Sequence, residues 1–330
     1  MTTQSRTYRG SAPSNLGEWL IVLRIAGMMT ARMLLLITAV CLLAWMRSGV
    51  GPEYKALIVV ASVGALYAAL GRGARAWAVY IVGFALFAEL RSYADNLGMP
   101  VHYQYAISLE KLLFFGTIPT VWLQDRLYTF AHTGPVEAYT ITVYLSYFFV
   151  PHAVALALWR WDPERFKPYA LGFLVTLYLG LAFCAIVPTA PPWLAGQTGD
   201  IPHVFQVIPD IAGEVTPGAY GNAYAAAGSN PVAAMPSLHA AIPWLMAMAL
   251  WKYRRLRAPA LLYALSMSFA IVYLGEHYVV DAIAGLATAA IGWLLARQVL
   301  RLWEGRRQRG DATAVQPPGG ELRTGESPAA

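Results

Sequence analysis

Three ionisable side chains lie in or beside long apolar segments of this sequence. His239 lies in AAMPSLHAA, and His277 and Asp281 lie in YLGEHYVVDAIAGL. Ionisable groups are costly next to hydrocarbon, and where they occur they tend to serve a function. These two stretches are therefore the first candidates for a chemical site.

The spacing of His277 and Asp281 suits a nucleophile or base and the group that orients it. They are four positions apart, so both side chains would lie on one face of a helix. A carboxylate that binds one ring nitrogen fixes the tautomer of an imidazole and makes the other nitrogen a better nucleophile. A hydrogen bond that only joins two helix ends would have the same spacing, so the pair alone leaves both interpretations open.

The stretch MPSLH has the features of a helix start that binds an anion. Pro236 suits the first helical position, where its missing N–H costs nothing. Ser237 and the free N–H groups of the first turn would then face outward, where the positive helix end attracts anions. His239 on that turn could donate a proton to a leaving oxygen. The alternative is that Ser237 only caps the helix and His239 faces water.

The composition is that of a membrane protein. Hydrophobic residues make up 58% of the 330, and 13% are charged, which is about half the charged share of a soluble domain. We therefore expect an integral membrane protein. The net charge of +6 does not indicate a nucleic-acid partner, because the basic residues lie mostly between apolar segments, where they set orientation.

Long apolar segments predict an all-α, polytopic transmembrane bundle of about eight helices. The segments are 19–47, 55–71, 76–93, 137–160, 168–188, 236–252, 258–275 and 279–300. A further apolar stretch, 112–123, is short and is broken by Gly116 and Pro119. We interpret it as a re-entrant or interfacial segment, because it is too short to cross a bilayer as one helix.

Basic connections between these segments predict the orientation in the membrane. They are 71–75, 160–167, 252–257 and 301–309. The positive-inside rule places all four in the cytoplasm, together with both termini. The loops 94–136 and 189–235 and the junction 275–279 then face outward.

The same boundaries divide the chain into three parts. Residues 1–75 form an N-terminal segment with accessory transmembrane helices, 76–304 form a membrane-embedded catalytic core, and 305–330 form a disordered cytoplasmic tail. The candidate histidines and aspartate all fall at the outward boundary of the core. We therefore expect an extracytoplasmic active site in an integral protein of the plasma membrane.

Taken together, the two stretches resemble the second and third motifs of the type-2 phosphatidic acid phosphatase superfamily. The second motif, Pro-Ser-x-His, corresponds to 236–239, and the His-x-x-x-Asp end of the third motif corresponds to 277–281. The resemblance implies that His277 is the nucleophile that takes a phosphoryl group, that Asp281 orients it, and that His239 is the general acid. It also implies a six-helix catalytic core over about 76–300, a phosphohistidine intermediate, and no metal or other cofactor.

Two arginines of the family pattern are missing here. The third motif usually begins with Ser-Arg, and Ala270 and Ile271 occupy those positions. The first motif is usually Lys, six residues, then Arg-Pro, and Ile118 stands where its arginine would be. Two of the usual phosphate-binding side chains must therefore have substitutes if the site binds phosphate.

Four residues are our candidates for binding the substrate phosphate. Ser237 comes from the second motif, and Arg91, Lys111 and Arg126 are basic residues on the outward side. Arginine is the preferred residue for bidentate contact with phosphate. Each of the three basic side chains could instead only extend from an apolar surface to the interface.

The stretches AMPSLHAA, YLGEHYVVD and TAPPWL are most similar to one branch of this superfamily, that of inositol phosphorylceramide synthase and its bacterial relatives. The resemblance implies transfer of a phosphoryl group or phosphorylated head group from a phospholipid, or a polyprenyl or sphingolipid phosphate, to a lipid or polyol acceptor. A lipid phosphate phosphatase is the alternative within the superfamily. A non-catalytic lipid transporter or scaffold is the alternative of another class.

Overall fold

The structure is a computed structural model that describes residues 74–91, 93–129, 133–215 and 231–314. The segments predicted at 19–47 and 55–71 lie outside the described residues. The predicted total of about eight helices therefore stays a prediction.

The described residues form α-helices joined by turns and irregular segments. The helices are α1 (Ala74–Arg91), α2 (Gln104–Leu113), α3 (Pro119–Leu127), α4 (Pro135–Ser146), α5 (Val150–Trp161), α6 (Pro163–Ile186), α7 (Pro192–Thr198), α8 (Val207–Val215), α9 (Leu238–Leu250), α10 (Arg257–Tyr273) and α11 (Val279–Ala314). Short 3-10 turns lie at Ala94–Leu97 and Arg254–Leu256. Within the described ranges the only β-type pairing consists of isolated bridges, so the predicted all-α class is confirmed.

The chain divides into two compact units, and the boundary falls inside α1 between Leu86 and Phe87. The described part of the first unit is the helical stretch from Ala74 to Leu86. The second unit contains the end of α1 and all the other described helices. Every residue of the candidate site belongs to this second unit.

Several helices have the length and apolar character of membrane spans. Three qualify by themselves: Pro163–Ile186, Arg254–Tyr273 and Val279–Arg309. Helices α4 and α5 are bent by 48° at their junction and together would make a fourth, broken span. The shorter α9 is also apolar. These elements match the segments predicted from residue 137 onward, so the chain has the helices of an integral membrane protein.

The short apolar stretch predicted at 112–123 is not one helix. It contains the end of α2, a turn, and the start of α3 at Pro119. In the turn, Phe115 and Gly116 both have positive φ, 53° and 89°. Left-handed backbone of this kind ends a helix, so the stretch folds back as two short helices.

Proline sets the start of many of these helices. Helices α3, α4, α6 and α7 each begin with proline, which fits the first turn because its N–H would have no helical partner there. Asp162 caps α6, where its side chain accepts a hydrogen bond from the N–H of Arg165 at 3.2 Å. The helix boundaries are therefore set by local chemistry as well as by apolar length.

Small residues let α11 approach its neighbours closely. A Cβ added at Gly285 would lie 2.4 Å from the carbonyl oxygen of Ser237 on the α9 side. A Cβ added at Gly292 would lie 2.2 Å from the hydroxyl oxygen of Thr176 on α6. Small residues at membrane helix contacts allow this backbone-to-backbone packing. The α9–α11 contact is the one that holds the two chemical motifs side by side.

Helix α11 is longer than the sequence predicts. We expected the catalytic core to end near 304 and a disordered tail to begin at 305, but the helix continues to Ala314. Residues 305–314 have no proline and include three arginines, and arginine is a good helix former. Residues 315–330 lie outside the described part.

Replacement of Gly285 by alanine is expected to destabilise the protein, and the same change at Gly305 on the same helix is the matched control. At Gly285 the new methyl group meets the Ser237 backbone, whereas at Gly305 it meets open space. Overpacking of this kind costs about 1–3 kcal/mol, which outweighs the gain of up to about 1 kcal/mol from replacing a helical glycine. Thermal unfolding in detergent measures both. Equal stability of Gly285→Ala and Gly305→Ala would contradict the close α9–α11 contact.

Candidate active site

The His277 ring is buried and is held by a backbone carbonyl of the other motif. Its Nδ1 atom lies 2.8 Å from the carbonyl oxygen of Ala234. A carbonyl oxygen can only accept a hydrogen bond, so Nδ1 must carry the proton. The lone pair of the neutral imidazole is then on Nε2, which makes Nε2 the nucleophilic nitrogen.

Asp281 supports the same histidine from one helical turn away. Its Oδ2 atom lies 3.6 Å from His277 Nδ1 and accepts a hydrogen bond of 2.8 Å from the N–H of Tyr278. The carboxylate is fully buried. It therefore places a negative charge beside the ring, while the Ala234 carbonyl makes the shorter contact with Nδ1.

The two motifs predicted from the sequence lie next to each other. The N–H of Ser237 donates to the carbonyl of Asp281 at 3.0 Å, and the ring centroids of His239 and His277 are 5.8 Å apart. The structure thus brings His239, His277 and Asp281 into one cluster.

Aromatic side chains pack around His239. Its ring stacks on Tyr144 at 4.6 Å between centroids, and Tyr147 and Phe148 lie at 4.4 Å and 6.3 Å. Among the residues the structure describes, none forms a hydrogen bond with its buried Nε2 atom. Stacking fixes the ring while this nitrogen stays available for proton transfer.

Ser237 caps α9, and the helix begins two residues later than we predicted. The first helical residue is Leu238, not Pro236, because the Ser237 side chain accepts from the N–H of Ala240 at 3.3 Å and so occupies the cap position. The backbone N–H of Ser237 donates to the backbone carbonyl of Asp281. The N–H groups of Leu238 and His239 in the first turn are left as donors for an anion.

The three basic candidates have different surroundings. Arg91 is half-buried at the end of α1, and its positive charge acts electrostatically on the His239 ring. Arg126 is exposed, and its guanidinium lies 4.3 Å from the centroid of the Trp122 ring. It also donates a hydrogen bond of 3.2 Å to the backbone carbonyl of Trp122. Lys111 is exposed in the last turn of α2. A phosphate-binding role remains a prediction for all three, and Arg91 has the most direct link to the histidines.

The two positions where the family usually has arginine are filled by core isoleucines. Ile271 is fully buried and packs with Ala240 and Met267. Ile118 is 6% exposed and packs with Tyr278 and Val280. Both side chains therefore support the motifs by packing, and the missing arginine charge is not replaced at those positions.

Glu110 is a site residue that the sequence analysis did not single out. It is fully buried on α2, and its Oε1 atom accepts a hydrogen bond of 2.8 Å from the N–H of Val280 at the start of α11. In the described part of the chain its Oε2 atom has no hydrogen-bond partner. Glu110 could have been found from the sequence, because it lies beside Lys111 in a helix with one polar and one apolar face. The spacing of the first motif, however, points to the lysine.

The segment TAPPWL joins the two motifs. Thr189 forms isolated parallel bridges with His102 and Ala233, and its carbonyl accepts from the N–H of Ala234 at 3.2 Å. Trp193 donates its backbone N–H to the carbonyl of Gly275 at 3.2 Å. This segment therefore positions Ala234, whose carbonyl holds the His277 ring. In the described ranges no three His, Cys, Asp or Glu side chains are grouped to hold a metal ion.

The stability of the protein is expected to depend on the ionisation of Glu110. Burial raises the pKa of Glu110 from its ordinary value of 4.5 to about 7; the Val280 N–H opposes the rise, and the negative charge of Asp281 adds to it. An acid with a raised folded-state pKa contributes stability below pH 4.5 that is lost as the pH rises through about 7. Glu110→Gln keeps an acceptor for Val280 but cannot ionise. The melting temperature of the wild type should therefore fall relative to that of Glu110→Gln across this pH range.

Thermal unfolding in detergent at a series of pH values measures this difference. Glu110→Ala is the second variant, because it removes the acceptor as well as the charge and should destabilise at every pH by about 1–3 kcal/mol. A wild type and Glu110→Gln variant that differ by a constant amount across the range would show that the buried carboxyl does not titrate there.

Comparison with known proteins agrees with this geometry. Residues 106–295, more than half of the chain, match a family profile described as the PAP2 superfamily. The phosphoinositol dihydroceramide synthase of Bacteroides thetaiotaomicron is 27% identical over 275 residues, which cover 79% of this chain and 87% of that protein. No solved structure matches the chain. The match runs from α2 into α11 and so includes both motifs, and on this ground the chain belongs to the PAP2 superfamily, as a membrane enzyme that is a lipid phosphotransferase or phosphatase.

Proposed function

We propose that this enzyme transfers a phosphorylated head group from a membrane phospholipid to a lipid or polyol alcohol, through a covalent intermediate on His277 at the extracytoplasmic face. The observation that carries the proposal is the 2.8 Å contact between His277 Nδ1 and the Ala234 carbonyl. It leaves Nε2 as a nucleophile of defined tautomer. The non-catalytic transporter or scaffold is set aside, because the chain belongs to an enzyme superfamily.

In the first step, Nε2 of His277 attacks phosphorus and the bond from phosphorus to the leaving alcohol oxygen breaks. The leaving oxygen takes a proton from His239, whose Nε2 has no other partner among the described residues. The His277 ring becomes positively charged, because its Nδ1 keeps a proton while its Nε2 carries phosphorus. Asp281, at 3.6 Å, stabilises this charge.

In the second step, an acceptor hydroxyl attacks phosphorus and the bond between phosphorus and Nε2 breaks. The hydroxyl proton returns to His239, which restores both histidines. Water in place of the alcohol would release the phosphorylated head group by hydrolysis. Access of water or of an alcohol to the intermediate therefore decides between hydrolysis and transfer, as in any covalent phosphoryl-transfer mechanism.

The charges around His277 favour a phosphodiester over a phosphomonoester. Asp281 and Glu110 are buried close by, and Glu276 is the neighbouring residue in the chain. Of the three basic candidates, Arg91 is the one whose positive charge acts on the His239 ring. A monoester carries up to two negative charges and a diester one, so a site with few cations accepts the diester at lower electrostatic cost.

The named relative favours an inositol phosphate as the transferred group. Its name, phosphoinositol dihydroceramide synthase, gives both the head group and a sphingolipid product of that protein. For this chain we propose an inositol phospholipid as donor and a sphingolipid or related alcohol as acceptor. The carboxylate of Glu276, the residue next to His277 in the chain, accepts a hydrogen bond of 3.1 Å from the Gln206 amide, and such groups suit a head group rich in hydroxyls.

Replacement of His277 by alanine should abolish transfer, with a loss of at least about a thousandfold, because the nucleophile is gone. His239→Ala should lose about a hundredfold to ten-thousandfold, the share of a general acid. Asp281→Asn should lose less than His277→Ala, because the Ala234 carbonyl still holds the tautomer. A transfer assay with donor lipid labelled in its head group measures all three. His203→Ala, an exposed histidine beside Phe205, is the control and should keep wild-type turnover.

The same assay distinguishes the transferase from the lipid phosphate phosphatase. Label that appears in a new lipid supports the transferase, whereas label that appears only in a water-soluble product, with every alcohol tested, would contradict it. The phosphatase would instead leave this phosphodiester intact and release inorganic phosphate from a lipid phosphomonoester offered in a parallel assay. Wild-type turnover by His277→Ala would contradict the covalent mechanism in either case.

The proposed orientation is tested by cysteines at the two ends of the bundle. Thr117 is exposed in the turn between α2 and α3 near the site, and Arg255 is exposed in the turn between α9 and α10 at the other end. Thr117→Cys should react with a membrane-impermeant thiol reagent in intact cells, and Arg255→Cys should react only after lysis. The unmodified chain is the control for its own cysteines. The reverse pattern would place the active site on the cytoplasmic side.

A further inference from the structure

A groove of about 510 Å³ lies at the end of the bundle opposite to the histidines. Trp251, which follows α9, forms part of its wall, whereas His239 lies in the first turn of the same helix. Helix α9 has 13 residues, and at 1.5 Å per residue it is about 20 Å long. The Trp251 end of the groove is therefore too far from His239 to share its substrate phosphate, while the groove wall runs along α9 as far as Trp244.

The rim of this groove is basic. Arg165, Arg257, Arg297 and Lys252 all line it, and none of its lining residues is acidic. Lys252 forms an ion pair with Asp162 outside the groove, so the three arginines provide most of the uncompensated positive charge. Four basic side chains from separate elements around one opening form a site that attracts an anion.

Two of the arginines are held in place by a tryptophan. The guanidinium groups of Arg165 and Arg297 lie 5.1 Å and 5.8 Å from the centroid of the Trp293 ring. Arg165 also donates from Nε to the carbonyl of Ala249 at 2.8 Å. Arginines fixed by stacking and by one hydrogen bond keep their remaining N–H groups in a defined place, which is how arginine binds phosphate with good geometry.

The lower part of the groove is apolar. It is lined by Ala247 and Met248 of α9, Leu261 of α10 and Leu286 of α11. An inorganic anion has no use for such a surface, whereas an acyl chain does. The combination of a basic rim and an apolar base between membrane helices matches a lipid whose phosphate sits at the interface.

We propose that this groove binds an anionic diacyl phospholipid of the leaflet opposite to the active site. Its phosphate lies among Arg165, Arg257 and Arg297, and one acyl chain lies against the apolar residues between α9, α10 and α11. The site is distinct from the transfer reaction and needs no particular donor or acceptor lipid. The bound lipid would brace the ends of the helices whose other ends carry the catalytic motifs.

The test is competition between two lipids on the purified full chain, measured by native mass spectrometry. Phosphatidylglycerol and phosphatidylcholine with the same acyl chains are added in equal amounts. We expect the protein to retain phosphatidylglycerol selectively. The double variant Arg165→Gln, Arg297→Gln should weaken that retention by about tenfold or more, because each basic residue near a lipid surface adds to the attraction.

The matched control is the double variant Arg254→Gln, Arg255→Gln, which removes two exposed charges at the same end of the bundle outside the groove. It should keep the selectivity. Equal loss in both double variants would show that the attraction comes from the general basic surface. Equal retention of the two lipids by the wild type would also overturn the proposal.

A second variant decides the question if Arg165→Gln, Arg297→Gln does not fold. Leu261→Trp fills the apolar base and leaves every charge in place. It should reduce retention of phosphatidylglycerol while the melting temperature measured without added lipid stays close to that of the wild type. Unchanged retention in a folded Leu261→Trp variant would contradict an acyl chain in the groove.

Discussion

A hydrogen bond between segments far apart in the chain determines the chemistry available to this protein. His277 Nδ1 donates to the carbonyl of Ala234, 43 residues earlier, and this leaves Nε2 free. The bond forms only if α9 and α11 meet closely, and they do so because Gly285 lets the Ser237 backbone come within reach. Glu110 then fixes the start of α11 through Val280. The close packing of α9 against α11 therefore also sets the tautomer of His277.

The second constraint is the balance of charge in a site close to hydrocarbon. Asp281 and Glu110 are both fully buried near His277, while the usual arginine positions are occupied by Ile118 and Ile271. Buried carboxylates without nearby cations are costly, and a nucleophilic histidine that becomes positively charged during the reaction relieves that cost. The same acidic surroundings are less suitable for a doubly charged phosphomonoester, which is why we propose transfer from a phosphodiester.

The side chains of the candidate site stand out in the sequence, but much of what holds them does not. His277 and Asp281 stand out because ionisable residues are rare in apolar helices, and their spacing places them on one face. The acceptor for the His277 ring is a backbone carbonyl, which carries no residue-type signal. Glu110 binds the N–H of Val280 in α11, 170 positions later in the chain. From the sequence, Ile118 and Ile271 are positions where an arginine is missing, and only their packing shows that they belong to the core. Long-range contacts of this kind depend on the tertiary structure, which a pattern of residue types does not contain.

The most direct test of this account is the identity of the nitrogen that carries phosphorus during turnover. The enzyme would be mixed with donor lipid labelled at phosphorus, without acceptor, quenched in alkali to preserve the bond from phosphorus to nitrogen, and digested. The labelled histidine, which still carries the head group on phosphorus, would then be compared with reference histidines that carry the same head-group phosphate on Nδ1 or on Nε2. Label on Nε2 of His277 is the predicted result, because Nδ1 is occupied by its proton and the Ala234 carbonyl. Label on Nδ1, or a turnover without any labelled histidine, would contradict it.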